Sequence, residues 1–416
     1  MSVRIFPNAA AALLGVFLLG AGQPAFAQSG ESAAALRRHA EAGTLGEGEK
    51  ALAALAGRNA SDAEARAVER LGQSLYRYGL RAPQERGMMI PVLRFPVPEN
   101  PNPQPIDYAK MRAVYSTLLA DLADVETTLA QLPAGEFKLR LDLNAIRIDV
   151  DGDGKGAPQE ALGAIVRNIM LPPGRRQAQG SPEQTPPAWN VAFDRADVIW
   201  LRGYAKLLSA FAEFALAHDW SEAFGATAHF FFPRVEGSLL ANLARPDADI
   251  AGMEASSIAD VISFIHMVRF PVIEPQRMQR VRRLLLDVVS LSRENWKAIL
   301  AETDDEDEWL PSPKQKNAAI PNAGVTDEIV ANWHATLAQF EAALEGKVLV
   351  GHWRFSKGID FKQVFEEPRT FDLVLWITGP AAVPYLKDGE TLSRNTFAQW
   401  ERMFGGNFLG FAIWFN

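Results

Sequence analysis

Four long stretches of this chain carry apolar residues at three- and four-residue steps, and that period restricts the fold more than any other feature. The first runs from about Asp107 to Leu132 through Met111, Val114, Leu118, Leu122, Val125 and Leu129, and Pro133 ends it. The second, Phe193 to Trp220, sets Trp200, Leu201, Tyr204, Leu207, Leu208, Phe211, Phe214 and Ala215 around most of its circumference, which predicts a central buried helix. The third covers 275–301 with Met278, Val281, Leu285, Val288, Ser292, Trp296 and Ile299 inward. The fourth covers 326–345 with Val330, Trp333, Leu337, Phe340 and Leu344 inward, closed by Gly346. Shorter helices are expected over 256–268 and after Ser61-Asp62-Ala63-Glu64, a capping-box sequence followed by Val68, Leu71, Leu75 and Tyr78 on one face.

Strand signals are fewer. Phe137 to Leu143 alternates strictly and reads as a half-buried strand. Val348 to Val350, Phe371 to Ile377 and Phe408 to Phe415 read as short β segments in a C-terminal part rich in tryptophan (Trp353, Trp376, Trp400, Trp414). The fold class expected is mainly α with a minor β part: a multi-helix globular protein with short C-terminal strands. No period of twenty to fifty residues recurs, which argues against a solenoid or a propeller.

Prolines and small residues set the expected organisation. Pro91, Pro96, Pro98, Pro101, Pro103 and Pro105 exclude a helix from the segment after Pro83 and predict an extended wrap over the surface. Residues 173–190 are rich in Pro, Gly, Gln and Ser and read as a linker or loop. They separate an N-terminal helical region, 28–172, from a second helical region, 191–416, and the pattern is equally compatible with one compact domain. Residues 1–27 combine Arg4, a short apolar run and Ala25-Phe26-Ala27, the pattern of a secretory signal cleaved after Ala27. A periplasmic or secreted location is expected.

Composition excludes several functions. With 48% apolar and 22% charged residues the chain is globular in character rather than disordered. Its 42 Lys and Arg against 50 Asp and Glu, without a basic block, argue against nucleic acid as a partner. No apolar run after residue 27 is long and charge-free enough to span a bilayer. The absence of cysteine removes disulfides, thiolate zinc sites and cysteine nucleophiles. A G-x-S-x-G elbow, a phosphate loop and a dinucleotide-type G-x-G-x-x-G are all missing, so catalytic residues stay unassigned and enzyme activity stays open.

One motif carries chemistry. Asp149, Asp151 and Asp153 stand at the first, third and fifth places of a twelve-residue run, Gly154 at the sixth and Glu160 at the twelfth. The run resembles an EF-hand calcium loop. The resemblance implies that the three aspartates each give one oxygen, that Lys155 gives its backbone carbonyl, that water fills the place of Ala157, and that Glu160 binds through both oxygens. Calcium takes six to eight oxygens, and without a cation four carboxylates this close repel one another. Pro158 suits the first turn of the exit helix, whose apolar face would be Leu162, Ile165, Val166, Ile169 and Met170. The run departs from the family in two ways. The entering segment, Leu141 to Ile148, reads as strand or irregular chain, and Gly156 replaces the apolar eighth residue that pairs with a second loop. Affinity in the weak extracellular range, roughly 10⁻⁵ to 10⁻³ M, is expected.

Other candidates are bland beside it. The acidic run Thr303 to Glu308 reads as a solvated connector rather than a second cation patch. His218, Glu222 and His229 read as a helix-end cap or an ion pair rather than metal ligands or pocket residues. Gly351-His352-Trp353-Arg354 reads as core packing before it reads as a ligand-stacking site. Asp194 reads as a helix N-terminal residue, and nothing in linear spacing pairs it with Asp197, Asp360 or Asp372. The sequence thus predicts an exported calcium-binding protein whose ion has a structural role. A periplasmic hydrolase supported by calcium and an envelope ligand-binding or interaction protein are the alternatives, and its protein partners are unspecified.

Overall fold

The computed structural model describes residues 29–56, 60–80, 100–130, 138–164, 188–238, 249–250, 253–254, 262–263, 265–319 and 325–392. The expected signal segment, most of the 173–190 linker, residues 165–170 of the exit helix, most of 256–268 and the Phe408–Phe415 segment lie outside the described residues.

The protein is mainly helical with a minor β part. The N-terminal helices are α1 (Ser29–Ala42), α2 (Leu45–Ala56) and α3 (Ala60–Arg77), followed by the long α4 (Tyr108–Ala130). Between α3 and α4, residues 100–106 run extended. The Gln104 amide reaches the Arg77 carbonyl, and Ile106 pairs with Val235. Strands β1 (Leu139–Asp142) and β2 (Asn190–Phe193) then pair antiparallel, Leu139 opposite Phe193 and Asp142 opposite Asn190. Asp142 Oδ1 accepts from the amides of Asn144 and Trp189, which fixes the chain where it leaves β1 and where it enters β2.

Helix α5 (Arg195–Ala217) is the centre of the fold, as its all-round apolar pattern predicts. Trp200, Leu201, Tyr204 and Leu208 are buried on it, although Phe211 stands 48% exposed. It packs along α7 (Pro275–Ala301) and α4, with the short α6 (Ser221–Thr227) between α5 and α7 in sequence. On α7 the inward stripe includes Met278, Val281, Ser292, Trp296 and Ile299. Val289 rather than Val288 is buried there. Helix α8 (Asp327–Leu344) buries Val330, Trp333, Leu337 and Leu344, and the Trp333 indole donates to Ser292 of α7 at 3.0 Å. One hydrophobic core joins residues from Ala35 of α1 to Leu337 of α8.

The remaining strands are short. β3 (Asp249–Ile250) pairs with β4 (Met253–Glu254), and β5 (Arg269–Phe270) pairs with β8 (Phe371–Asp372). A four-stranded sheet of order β10-β6-β7-β9 gathers Thr391–Leu392, Leu349–Gly351, Gly358–Ile359 and Leu386–Lys387. Helix α9 (Phe361–Glu366) lies between β7 and β8. The β segment expected over Phe371 to Ile377 needs correction: only its first two residues are strand. Asp372 caps a helix, α10 (Leu373–Thr378), by accepting from the Leu375 amide, and Gly379 ends it at φ 105°. A capping aspartate outweighed the β-branched and aromatic composition. No described helix is long and apolar enough to cross a membrane.

Candidate metal centre

The loop expected to hold calcium stands between two limbs tied to each other. The Ile148 amide donates to the Glu160 carbonyl and the Leu162 amide to the Ile146 carbonyl, so chain entering at Ile146 and chain leaving at Leu162 run side by side. The entering limb is strand, turn and irregular chain, as its sequence predicts. The exit begins as a single turn, Pro158–Glu160, and is helical over 162–164.

Within the loop, backbone geometry brings the aspartates together. Gly152 and Gly154 adopt φ of 76° and 82°, a region that side chains resist. Their amides turn inward and donate to Asp149 Oδ1 at 2.8 Å and Oδ2 at 3.0 Å. The Asp153 amide reaches Asp151 Oδ1 at 3.1 Å, and the Lys155 amide reaches Asp153 Oδ1 at 2.7 Å. One carboxylate oxygen from each of Asp149, Asp151 and Asp153 lies within 4.8 Å of the others. Asp149 is buried at the base, whereas Asp153 and Lys155 stand exposed at the rim.

Glu160 is not part of that trio. Its side chain, 1% exposed, lies beneath the loop, where Oε1 accepts from the amides of Val150 at 2.8 Å and Asp151 at 3.1 Å, and Oε2 from Ala157 at 2.8 Å. Those amides favour its charge, but burial and the nearby Asp151 outweigh them, and the Glu160 carboxyl is raised above the usual range. Asp149 is raised as well, first by burial, against the Gly154 and Gly152 amides and with Asp151 and Asp153 adding. The loop therefore concentrates negative charge that its own amides do not neutralise. An all-oxygen set of this kind suits a hard divalent cation.

Helix α3 and the turn that follows α1 hold the loop from outside. Gln73 of α3 donates to the Asp149 carbonyl at 2.9 Å and to Glu69 Oε1 at 3.2 Å, and Glu69 also takes Arg66 at 2.5 Å. Gly72 lets Val150 approach: a methyl group on it would stand 3.2 Å from the Val150 side chain. From the α1–α2 turn, the carbonyls of Ala40 and Ala42 accept from the Arg147 and Gly156 amides. Gly43 and Gly156 meet back to back there, so that a methyl group built on Gly43 would lie 2.5 Å from the Gly156 Cα. Gly156, which departs from the EF-hand pattern, is thus a close-contact residue. Composition alone gave no sign of Gln73, Glu69 or Gly72 at this site.

A second acidic group forms where a solvated connector is expected. One carboxylate oxygen from each of Asp194, Glu302 and Glu308 lies within 4.8 Å of the others. Glu308 is only 2% exposed. Asp307 explains the difference: at φ 55° it takes the left-handed turn that Asp tolerates, and Glu308 follows it into the protein. The ammonium of Lys138 already stands among these oxygens, bonded to Asp304 and to Glu308.

The other candidates resolve more simply. Asp194 caps α5 by accepting from Ala196, as expected. Asp360 and Asp372 cap α9 and α10. The His218 ring bonds the Phe214 carbonyl at 2.7 Å at the end of α5, Glu222 is exposed, and His229 packs on Phe230. His352 packs against Trp353 and Phe355 with Nε2 on the Trp376 carbonyl, but Trp353 is 62% exposed, so this segment is surface rather than core. Among the described residues no metal-type group joins His229 or His352 to carboxylates. Comparison with family models, curated proteins and solved structures found no match to this chain.

Proposed function

We propose that the protein binds one calcium ion at Asp149, Asp151, Asp153, the Lys155 carbonyl and Glu160, and that the ion's role is structural. The observation that carries this reading is the convergence of three aspartate carboxylates on a loop whose Gly152 and Gly154 amides orient them. In this reading Glu160 moves one or both oxygens from backbone amides to the ion. The ion would relieve the charge that raises Asp149 and Glu160, and by binding only the folded chain it would stabilise it. Because the loop is held by α3 and by the α1–α2 turn, the stabilisation would extend to the N-terminal helices. Export belongs to the same proposal, supported by the pattern of residues 1–27.

Calorimetric titration with calcium after chelator treatment, with magnesium as control, tests it. One calcium-selective site near unit stoichiometry is expected. Absence of binding heat together with an unchanged melting temperature in calcium would overturn it.

A further inference from the structure

Residues 302–319 leave the end of α7 and return across β2 and α5. The Asp307 carbonyl accepts from the Ala192 amide at 3.1 Å, the Trp189 indole donates to the Ala319 carbonyl at 2.7 Å, and Trp309, 1% exposed, meets Trp200 of α5 edge to face. Beneath this crossing lies a group of charges drawn from four parts of the chain. Lys138, next to β1, contributes the ammonium. It bonds Asp304, reaches Glu308 Oε1 at 3.2 Å and stands 3.8 Å from Asp194 Oδ2. Asp194 and Asp197 come from the first turn of α5, where the Asp194 amide donates to Asp197 Oδ2 at 2.9 Å. Glu302 comes from the end of α7 and accepts from Gln315 at 3.1 Å. Asp194, Asp197 and Glu308 are 9%, 6% and 2% exposed, which leaves little water to screen them.

One ammonium cannot neutralise this many carboxylates. The place of a cation is already taken by Lys138, so the excess charge is relieved by protons. Burial, with Asp194 and Glu308 adding, pushes Glu302 up to about 8. Burial, with Asp194 adding against Lys138, pushes Glu308 up to about 7. Burial and then Asp194 raise Asp197 well above the carboxylate range. Lys138 is held above the ordinary lysine value, since its acidic partners outweigh burial. The other charges near the group are Asp305, tied to the Lys316 and Asn317 amides, and Glu306, paired with Arg140 of β1 on the outer side.

We propose that Lys138, Asp194, Asp197, Glu302 and Glu308 form a proton-held joint that fastens residues 302–319 to β1, β2 and α5 in neutral medium and loosens them in alkaline medium. The sign follows from linkage. A carboxyl raised in the folded state binds more protons than it does unfolded, so its contribution to stability falls as pH rises through the folded value. The loss runs from the ordinary carboxylate range up to the folded values of about 7 and about 8, and pH 6.5 to 9 samples its upper part, below tyrosine and lysine.

The test uses the full chain in chelator, where no ion binding varies with pH; the raised Asp149 and Glu160 carboxyls are then the same in the parent and the variants, and the difference between their profiles isolates the Lys138 group. The melting temperature should fall by about 3 °C between pH 6.5 and 9. Glu302→Gln and Glu308→Gln should each flatten that fall, and protection of the Glu308 and Ala319 amides from hydrogen exchange should drop at the alkaline end in the parent but less in the variants. If a variant fails to fold, infrared spectroscopy of the parent decides: the carbonyl band of a protonated carboxylic acid should be present at pH 7 and clearly weaker at pH 9. A flat melting profile, an equal slope in the folded variants, or no acid band at pH 7 would overturn the proposal.

Discussion

Glu160 has two roles in the proposed site, strut and ion ligand, and comparison with Asp153 separates them. In chelator only the strut matters. Glu160→Ala takes the acceptor from the amides of Val150, Asp151 and Ala157. At about 1 kcal/mol for each net hydrogen bond, less what water restores at the partly exposed Asp151 and Ala157, the cost is about 2 kcal/mol. For a chain of this size that lowers the melting temperature by about 2 °C. Asp153 is exposed and, among the described residues, accepts from the Lys155 amide, so Asp153→Ala should stay within about 1 °C of the parent in chelator. Calcium changes the comparison. At about 10 mM calcium and a dissociation constant of ~10⁻⁴ M, the parent gains about 2.7 kcal/mol, or about 3 °C, and both variants lose most of that gain. Differential scanning calorimetry of the three proteins in chelator and in calcium measures every term. A calcium-dependent rise that survives in Asp153→Ala would refute the ligand assignment. Equal melting of the two variants in chelator would refute the strut.

Two further outcomes follow from contacts away from the ligands. Gln73→Leu removes the bond to the Asp149 carbonyl and should weaken calcium binding by roughly tenfold in calorimetric titration; unchanged affinity would show that α3 does not position the loop. Arg112 of α4 caps the end of α5 by donating to the Leu216 and His218 carbonyls at 2.9 Å each, so Arg112→Met should cost about 2 kcal/mol in urea unfolding, and Arg112→Lys, lacking the fork, should recover only part of it.

What the sequence makes legible depends on how local the cause is. Helix α7 follows from its apolar period and its first-turn Pro275, and its bounds match the expected 275–301. The loop is legible for a similar reason: its acidic residues lie within twelve positions of one another, and Gly154 marks the turn that gathers three of them. Gly152, equally positive in φ, goes unnoticed only because the motif does not demand it. The Lys138 group is illegible, since it draws on three segments far apart in sequence that are brought together by the packing of β1, α5 and the chain after α7. A charge run such as 303–308 carries no linear sign of which residue turns inward. That is decided by the backbone at Asp307 and by the bridge between Glu308 and Ala318. The helix at Leu373–Thr378 reads as strand in composition because one capping aspartate weighs little in a window of aromatic and branched residues.

The contact between Gly43 and Gly156 bears on how such a loop can change over time. Any side chain larger than hydrogen at Gly43 would strike the backbone of a turn more than a hundred positions away, and one at Gly156 would strike the Arg147 side chain. The loop is therefore not a portable cassette. Transplanted into another scaffold it would arrive without the surface that shapes its eighth position, and within this chain the two glycines can be exchanged for larger residues only if the turn between the first helices moves with them.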